Sequence, residues 1–167
     1  MPDTHGLYDA RKGPHQSTHP TMSRIVVTAS ALVLSTLVHF AQAQSKHLAS
    51  VEETRRAAEA IVASMAASNT NGALAQFSPL SVIQGPELEV FRAQVAGAQE
   101  KLLREFGPPT GYEYIRQEPL GTRVVRHQLL VFHEKAPMLW NIIFFRQKGG
   151  WAITHLHFDG NALKFFP

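Results

Sequence analysis

A single change of hydrophobic period near Gly107 constrains this chain more than any other feature. Upstream of it apolar residues recur at helical spacing; downstream of Gly111 they alternate as in strands. A helix buries one stripe and a strand one face, so the two halves are each other's natural cover. Ser50 is a good N-cap with Glu53 three residues on, and Val51, Ala58, Ile61, Val62 and Met65 share one face of a first helix. Residues 68–72 end that helix, and 73–77 read as a short second one stopped by Ser78 and Pro79. Gly85 and Pro86 open a third helix, whose apolar stripe is Leu88, Phe91, Val95, Leu102 and Phe106. Gly107, Pro108 and Pro109 stop it. Strands are expected over 112–119, 123–134, 138–147 and 151–158, joined by short turns that make neighbours antiparallel. The fold class is α+β: N-terminal helices packed on a strongly curved four-stranded antiparallel sheet.

Strict alternation across the last turn assigns faces. Trp140, Ile142, Phe144 and Arg146 share one face with Trp151, Ile153, His155 and His157. Asn141, Ile143 and Phe145 share the other with Ala152, Thr154, Leu156 and Phe158. The second set is the more evenly apolar, so it is expected to meet the helices. The first is too apolar to stay wet. It is expected either to curl around a cavity or to form a homodimer interface through Trp140, Ile142, Phe144, Trp151, His155 and His157.

Residues 22–43 have the layout of a secretory signal: Arg24, then an apolar run over 25–40, then Ala41, Gln42 and Ala43 at the cleavage positions. The run of 16 residues is short of the roughly 20 that cross a hydrocarbon core, so cleavage is favoured over a retained anchor. Residues 1–21 lack apolar periodicity and read as an upstream extension, with Met22 as the start. Residues 44–167 then form one domain, exported to the periplasm or secreted, with no membrane span after cleavage. In that part 13 Lys and Arg face 11 Asp and Glu, a net charge of +2 against +3 for the whole chain. The cations are scattered, so no nucleic-acid footprint is expected. No cysteine is present, which excludes disulfides and thiolate chemistry.

Candidate chemistry is sparse. His155 and His157 alternate on one strand, with Cα atoms about 6.6 Å apart. Two imidazoles fall short of a zinc site, so neither a metal nor any other cofactor is expected. Arg126, Gln128 and Asn141 are polar residues in otherwise apolar strands, and Tyr114 offers a hydroxyl. These four are the candidate ligand-binding residues. The structural expectation for the same groups is that Arg126 bridges to Glu100 or Glu105 on the third helix, and that Asn141 bonds strand backbone.

Several short motifs add a resemblance. They are Gly107-Pro108, Gly111-Tyr112-Glu113, the Gly121 to Arg126 strand start, Pro137-Met138-Leu139-Trp140, Phe144-Phe145-Arg146, and Gly150-Trp151 with Phe158-Asp159. In these the chain resembles the nuclear-transport-factor-2-like (NTF2-like) superfamily, and within it small exported bacterial members. The resemblance implies a cone-shaped α+β fold, often dimeric through its sheet. Isomerase-like members place a carboxylate base and a tyrosine or acid in the cone. Here Glu113, Glu118, Glu134 and Asp159 lie at strand ends or on the first strand, a departure from that pattern. The expected function is a small-ligand-binding or protein-interaction module without enzymatic activity. An acid–base isomerase or cyclase is the alternative. If residues 41–43 are read by a signal peptidase, intact-mass measurement of the exported protein will place its first residue at or near Gln44; a mass that includes Met1 would refute both the signal and the start at Met22.

Overall fold

The computed structural model describes residues 46–161 and 166, so the expected signal and upstream extension lie outside the described residues. Helix α1 (Val51–Ala66) begins where Ser50 Oγ accepts from Glu53 N–H at 3.2 Å. Glu53 reaches back to Ala49 N–H at 2.8 Å, one residue beyond the partner a simple capping box would use. Its far end closes through Ser68, held at φ +57°, so that Asn69 N–H reaches Ser64 O and Ser68 N–H reaches Met65 O. Asn69 then caps α2 (Thr70–Phe77) by accepting from Gly72 N–H at 2.8 Å. The second helix therefore starts three residues earlier than expected, because Asn69 both ends one helix and begins the next. A 3-10 turn (Ser78–Leu80) leads to α3 (Gly85–Phe106), which has the expected bounds. Gly107 adopts φ +80° at its end, where an added Cβ would sit 2.6 Å from Glu134 Oε2.

Strands β1 (Pro109–Leu120), β2 (Val124–His133), β3 (Pro137–Gln147) and β4 (Gly150–Asp159) form an antiparallel meander in the order β1-β2-β3-β4. The sheet is curled but not closed. Leu48 pairs with Trp151 and Ser81 with Ile153, which covers the start of β4's outer edge. Gly150, at φ +129°, lets the Leu48 backbone pass close by; a Cβ there would lie 2.5 Å from Leu48 O.

The faces correct the alternation argument. β3 and β4 pair regularly from Gln147↔Gly150 to Phe144↔Ile153, but the next pair is Ile143↔His155. Thr154 is therefore an extra residue, a β-bulge, and beyond it every β4 side chain changes face. Trp140, Ile142 and Phe144 share the helix-covered face with Trp151 and Ile153 on one side of the bulge and with Leu156 and Phe158 on the other. Trp140 stacks on Phe158 with ring centroids 4.8 Å apart. Ala58, Ile61, Val62 and Met65 of α1, with Leu88, Val95 and Leu102 of α3, complete this core. The proposed interface set is thus divided. Trp140, Ile142, Phe144 and Trp151 are buried inside their own chain, whereas His155 and His157 are exposed on the opposite face.

Among the described residues, no helix is long and apolar enough to cross a membrane. Since Trp140 and Trp151 are both core residues, Trp140→Ala or Trp151→Ala is expected to cost about 3–5 kcal/mol in urea unfolding. A loss below about 1 kcal/mol would mean that the site collapses or is not enclosed.

Candidate functional site

The sheet face turned away from the helices carries two polar rungs. In the first, the register aligns Arg116, Gln128, Asn141 and His157 across all four strands. In the second it aligns Glu118, Arg126, Ile143 and His155. Arg116 Nε lies 2.5 Å from Gln128 Oε1 and 2.7 Å from Glu118 Oε1, a donation shared between both rungs. Gln128 Nε2 donates to Asn141 Oδ1 at 2.8 Å. That chain of bonds fixes both amides: each oxygen accepts from β1's direction and each NH2 points toward β4. Arg126 donates through Nε to Glu118 Oε2 at 2.7 Å, and its Nη2 reaches the same oxygen. The hydrogen bond from Arg126, with Arg116 alongside, holds the Glu118 carboxyl below the usual carboxylate range.

The β2, β3 and β4 members of these rungs line a groove of about 320 Å³, together with Leu139 and Asp159. An adjoining hollow of about 300 Å³ runs toward Leu120 and shares Arg126 and Ile143 with it. Three of the four candidate ligand residues, Arg126, Gln128 and Asn141, thus come together, on the open face and not the helix-covered one. Arg126 pairs with Glu118 across the β1–β2 hairpin rather than with Glu100 or Glu105, because its side chain points away from α3. Asn141 bonds a side chain rather than strand backbone.

Tyr114, the fourth, sits on the other face. Its hydroxyl is 3.0 Å from His127 Nδ1, while His127 Nε2 is 2.8 Å from Thr54 Oγ1 on α1. Thr54 has one hydroxyl proton, which it donates to Val51 O at 2.6 Å. His127 must therefore donate from Nε2 to Thr54 and accept from Tyr114 at Nδ1. The ring is fully buried and meets Phe144 edge-on at 5.6 Å. Burial, reinforced by the Arg55 charge, lowers its pKa to about 4. Arg55 lies 4.1 Å above the Tyr114 ring and pairs with Glu59. Burial raises the Tyr114 hydroxyl pKa, with Arg55 opposing and Glu59 adding to the rise. This assembly ties α1 to β1 and β2. A neutral imidazole with so low a pKa is a weak base near pH 7.

His133 is also on the helix-covered side, with Nδ1 donating to Gly107 O at 2.8 Å. The four histidines of the sheet are thus split between opposite faces, and among the described residues no group of three His, Cys, Asp or Glu side chains is placed to hold a metal. Sequence reasoning passed over two groups. Arg116 is not among the sequence candidates, although its i, i+2 spacing to Glu118 places both on one face. Gln99 lies within the apolar stripe of α3, buried, and neither its oxygen nor its nitrogen finds a hydrogen-bond partner.

No protein-family model matches the sequence, and no curated protein matches it significantly. Among solved structures the chain is similar to a provisionally named NTF2-like transpeptidase from Campylobacter jejuni, at 14% identity and TM-score 0.44, over 64% of this chain and 99% of that one. It is similar also to an NTF2-like protein of unknown function from Pseudomonas putida KT2440, at 15% identity and TM-score 0.43, over 65% and 84% of the two chains. A cystatin-like protein from Ruminococcus gnavus is similar at 19% identity and TM-score 0.37, over 67% of this chain and 38% of its own.

The buried histidine sets a pH dependence. Its folded pKa, about 4, is below the unfolded value near 6.5, so protonation favours the unfolded chain. The stabilisation is fully present above about pH 6.5 and is lost as pH falls through about 4, by roughly 3 kcal/mol. His127→Gln is expected to flatten that part of the urea-unfolding pH profile; an unchanged profile would show that His127 titrates normally.

Proposed function

We propose that this chain is an exported, non-enzymatic binding module whose open sheet face takes a small ligand bearing a carboxylate or carbonyl. The observation that carries this reading is the hydrogen-bonded row Arg116–Gln128–Asn141, whose Gln128 and Asn141 line the groove while Arg116 holds Gln128 from β1. Polar groups fixed by neighbours need little reorganisation to meet a ligand. The Asn141 NH2 is left pointing along the row toward His157 and can donate to an acceptor. Leu139 and Ile143 supply apolar contact beside it. Two further observations support binding over acid–base catalysis. Glu118 is neutralised by two arginines and held deprotonated, and His127 is a weak, enclosed base.

The same face supports a second reading, a two-fold contact between two copies. Ile143 and Phe145 are half-buried beside the rungs and Phe132 is exposed farther along, so two such faces can bury apolar area together.

Benzoate titrated into nitrogen-15-labelled protein is expected to shift the amides of Arg126, Gln128, Asn141, His155 and His157. Asn141→Ala should weaken binding about tenfold, the worth of one hydrogen bond to a charged group. Shifts confined to other surfaces would refute the ligand reading. Sedimentation decides the second: a dimer dissociated by Ile143→Asp supports it, and a monomer at every concentration removes it.

A further inference from the structure

The open sheet face does not end at its two polar rungs. One rung farther toward the β1–β2 turn, the register aligns Leu120 with Val124 and Val124 with Phe145. This third rung is apolar. Pro119, Leu120 and Val124, with Ile143 of the rung before, are the apolar lining of the hollow of about 300 Å³, and Arg126 and Ile143 line both this hollow and the groove. Val124 and Phe145 are already half-buried, whereas Leu120, 75% exposed, still offers apolar area for a ligand to cover. Asn141 and Phe145 are four residues apart on β3, so the path from the polar row to the apolar rung is about 13 Å long.

Charge gives this path a direction. At its middle Glu118 is shared between Arg116 and Arg126, which leaves one positive charge in excess. Arg126 spends Nε and Nη2 on Glu118, and its Nη1 can donate elsewhere. On the other side of the Asn141 rung, Asp159 is aligned with Leu139, its carboxylate 3.9 Å from His157 Nε2. An anionic group is therefore favoured beside Arg126 and disfavoured toward Asp159, so the remainder of a bound molecule is directed along the apolar rung.

We infer that the ligand of the open face is an amphipathic monocarboxylate, its acid held between the Asn141 NH2 and Arg126 and a linear aliphatic tail laid over Ile143 toward Val124 and Leu120. The inference rests on the reading of this face as a ligand site and adds the class of ligand. A compact acid reaches one hollow; a tail that crosses the rungs occupies both.

The test titrates acetate, butyrate, hexanoate and octanoate into the nitrogen-15-labelled full chain. Affinity is expected to rise about twofold per added methylene, less than the roughly fourfold of full burial, because an open groove covers one side of the tail. Octanoate should extend the amide shifts from Asn141 and Arg126 to Val124 and Leu120, and acetate should not. Octanol, which lacks the charge that Arg126 meets, should bind roughly tenfold more weakly than octanoate. Leu120→Ser should cut the octanoate-to-acetate affinity ratio about fivefold with the melting temperature unchanged. Equal affinity along the series, octanol binding as tightly as octanoate, or octanoate shifts that bypass Val124 and Leu120 overturn the inference, while benzoate shifts at Asn141 would leave the ligand site standing. No shift on the open face with any carboxylate overturns both. A dimer dissociated by Leu120→Ser and indifferent to octanoate would assign the third rung to a second copy and overturn the inference as well.

Discussion

The extra residue in β4, Thr154, is the constraint on which the rest of the structure depends. Without it, strict alternation would place His155 and His157 beneath the helices and Leu156 and Phe158 in water. With it, Trp140, Ile142 and Phe144 find apolar partners along the whole length of β4. One bulge thereby gives the sheet a continuous core face and leaves the other polar. The cost is a local break in the ladder, offset in part by Thr154 Oγ1 donating to Ile143 O at 3.2 Å.

Once the faces are set, the polar groups separate into two assemblies of different character. On the helix side, Thr54, His127 and Tyr114 form a closed chain in which every proton has one place to go, and its effect is to hold α1 against β1 and β2. On the open side, Arg116, Glu118, Arg126, Gln128 and Asn141 are bonded to one another yet keep donors facing solvent. The first is a structural clamp sealed beneath the helices; the second lies on the open face, where Gln128 is buried between its neighbours and Arg116 and Arg126 stay partly accessible. Among the described residues, the Gln99 amide, His133 Nε2 and Trp140 Nε1, buried and without hydrogen-bond partners, are exceptions to the satisfied interior.

Much of this was legible beforehand, and the reasons for what was not are specific. The helix bounds followed from caps and prolines, and strand bounds from alternation with turn glycines, since both signals are local. Asn69 was misassigned because one polar residue served two helices. Arg126, Gln128 and Asn141 share a face because pairing across short turns preserves parity. Which face they share was not recoverable, because a β-branched Thr154 in an alternating run has nothing to mark it as a bulge. The partnership of Glu118 with Arg126 was within reach, as each is four residues from Thr122 at the centre of the turn. That of Thr54 with His127, separated by 73 residues, was not.

The sequence by itself determined the α+β class, the order of helices and strands, the antiparallel meander and the residues with polar chemistry to offer. Those follow from periodicity, capping and turn length, each set within a few residues of chain. The tertiary structure alone decided which side of the sheet the helices would cover. It thereby decided that the tryptophans are core rather than interface, and that His127 is enclosed while His155 and His157 are exposed. The physical reason is that a strand's side chains have two equivalent destinations until packing chooses between them, and one inserted residue is enough to exchange them.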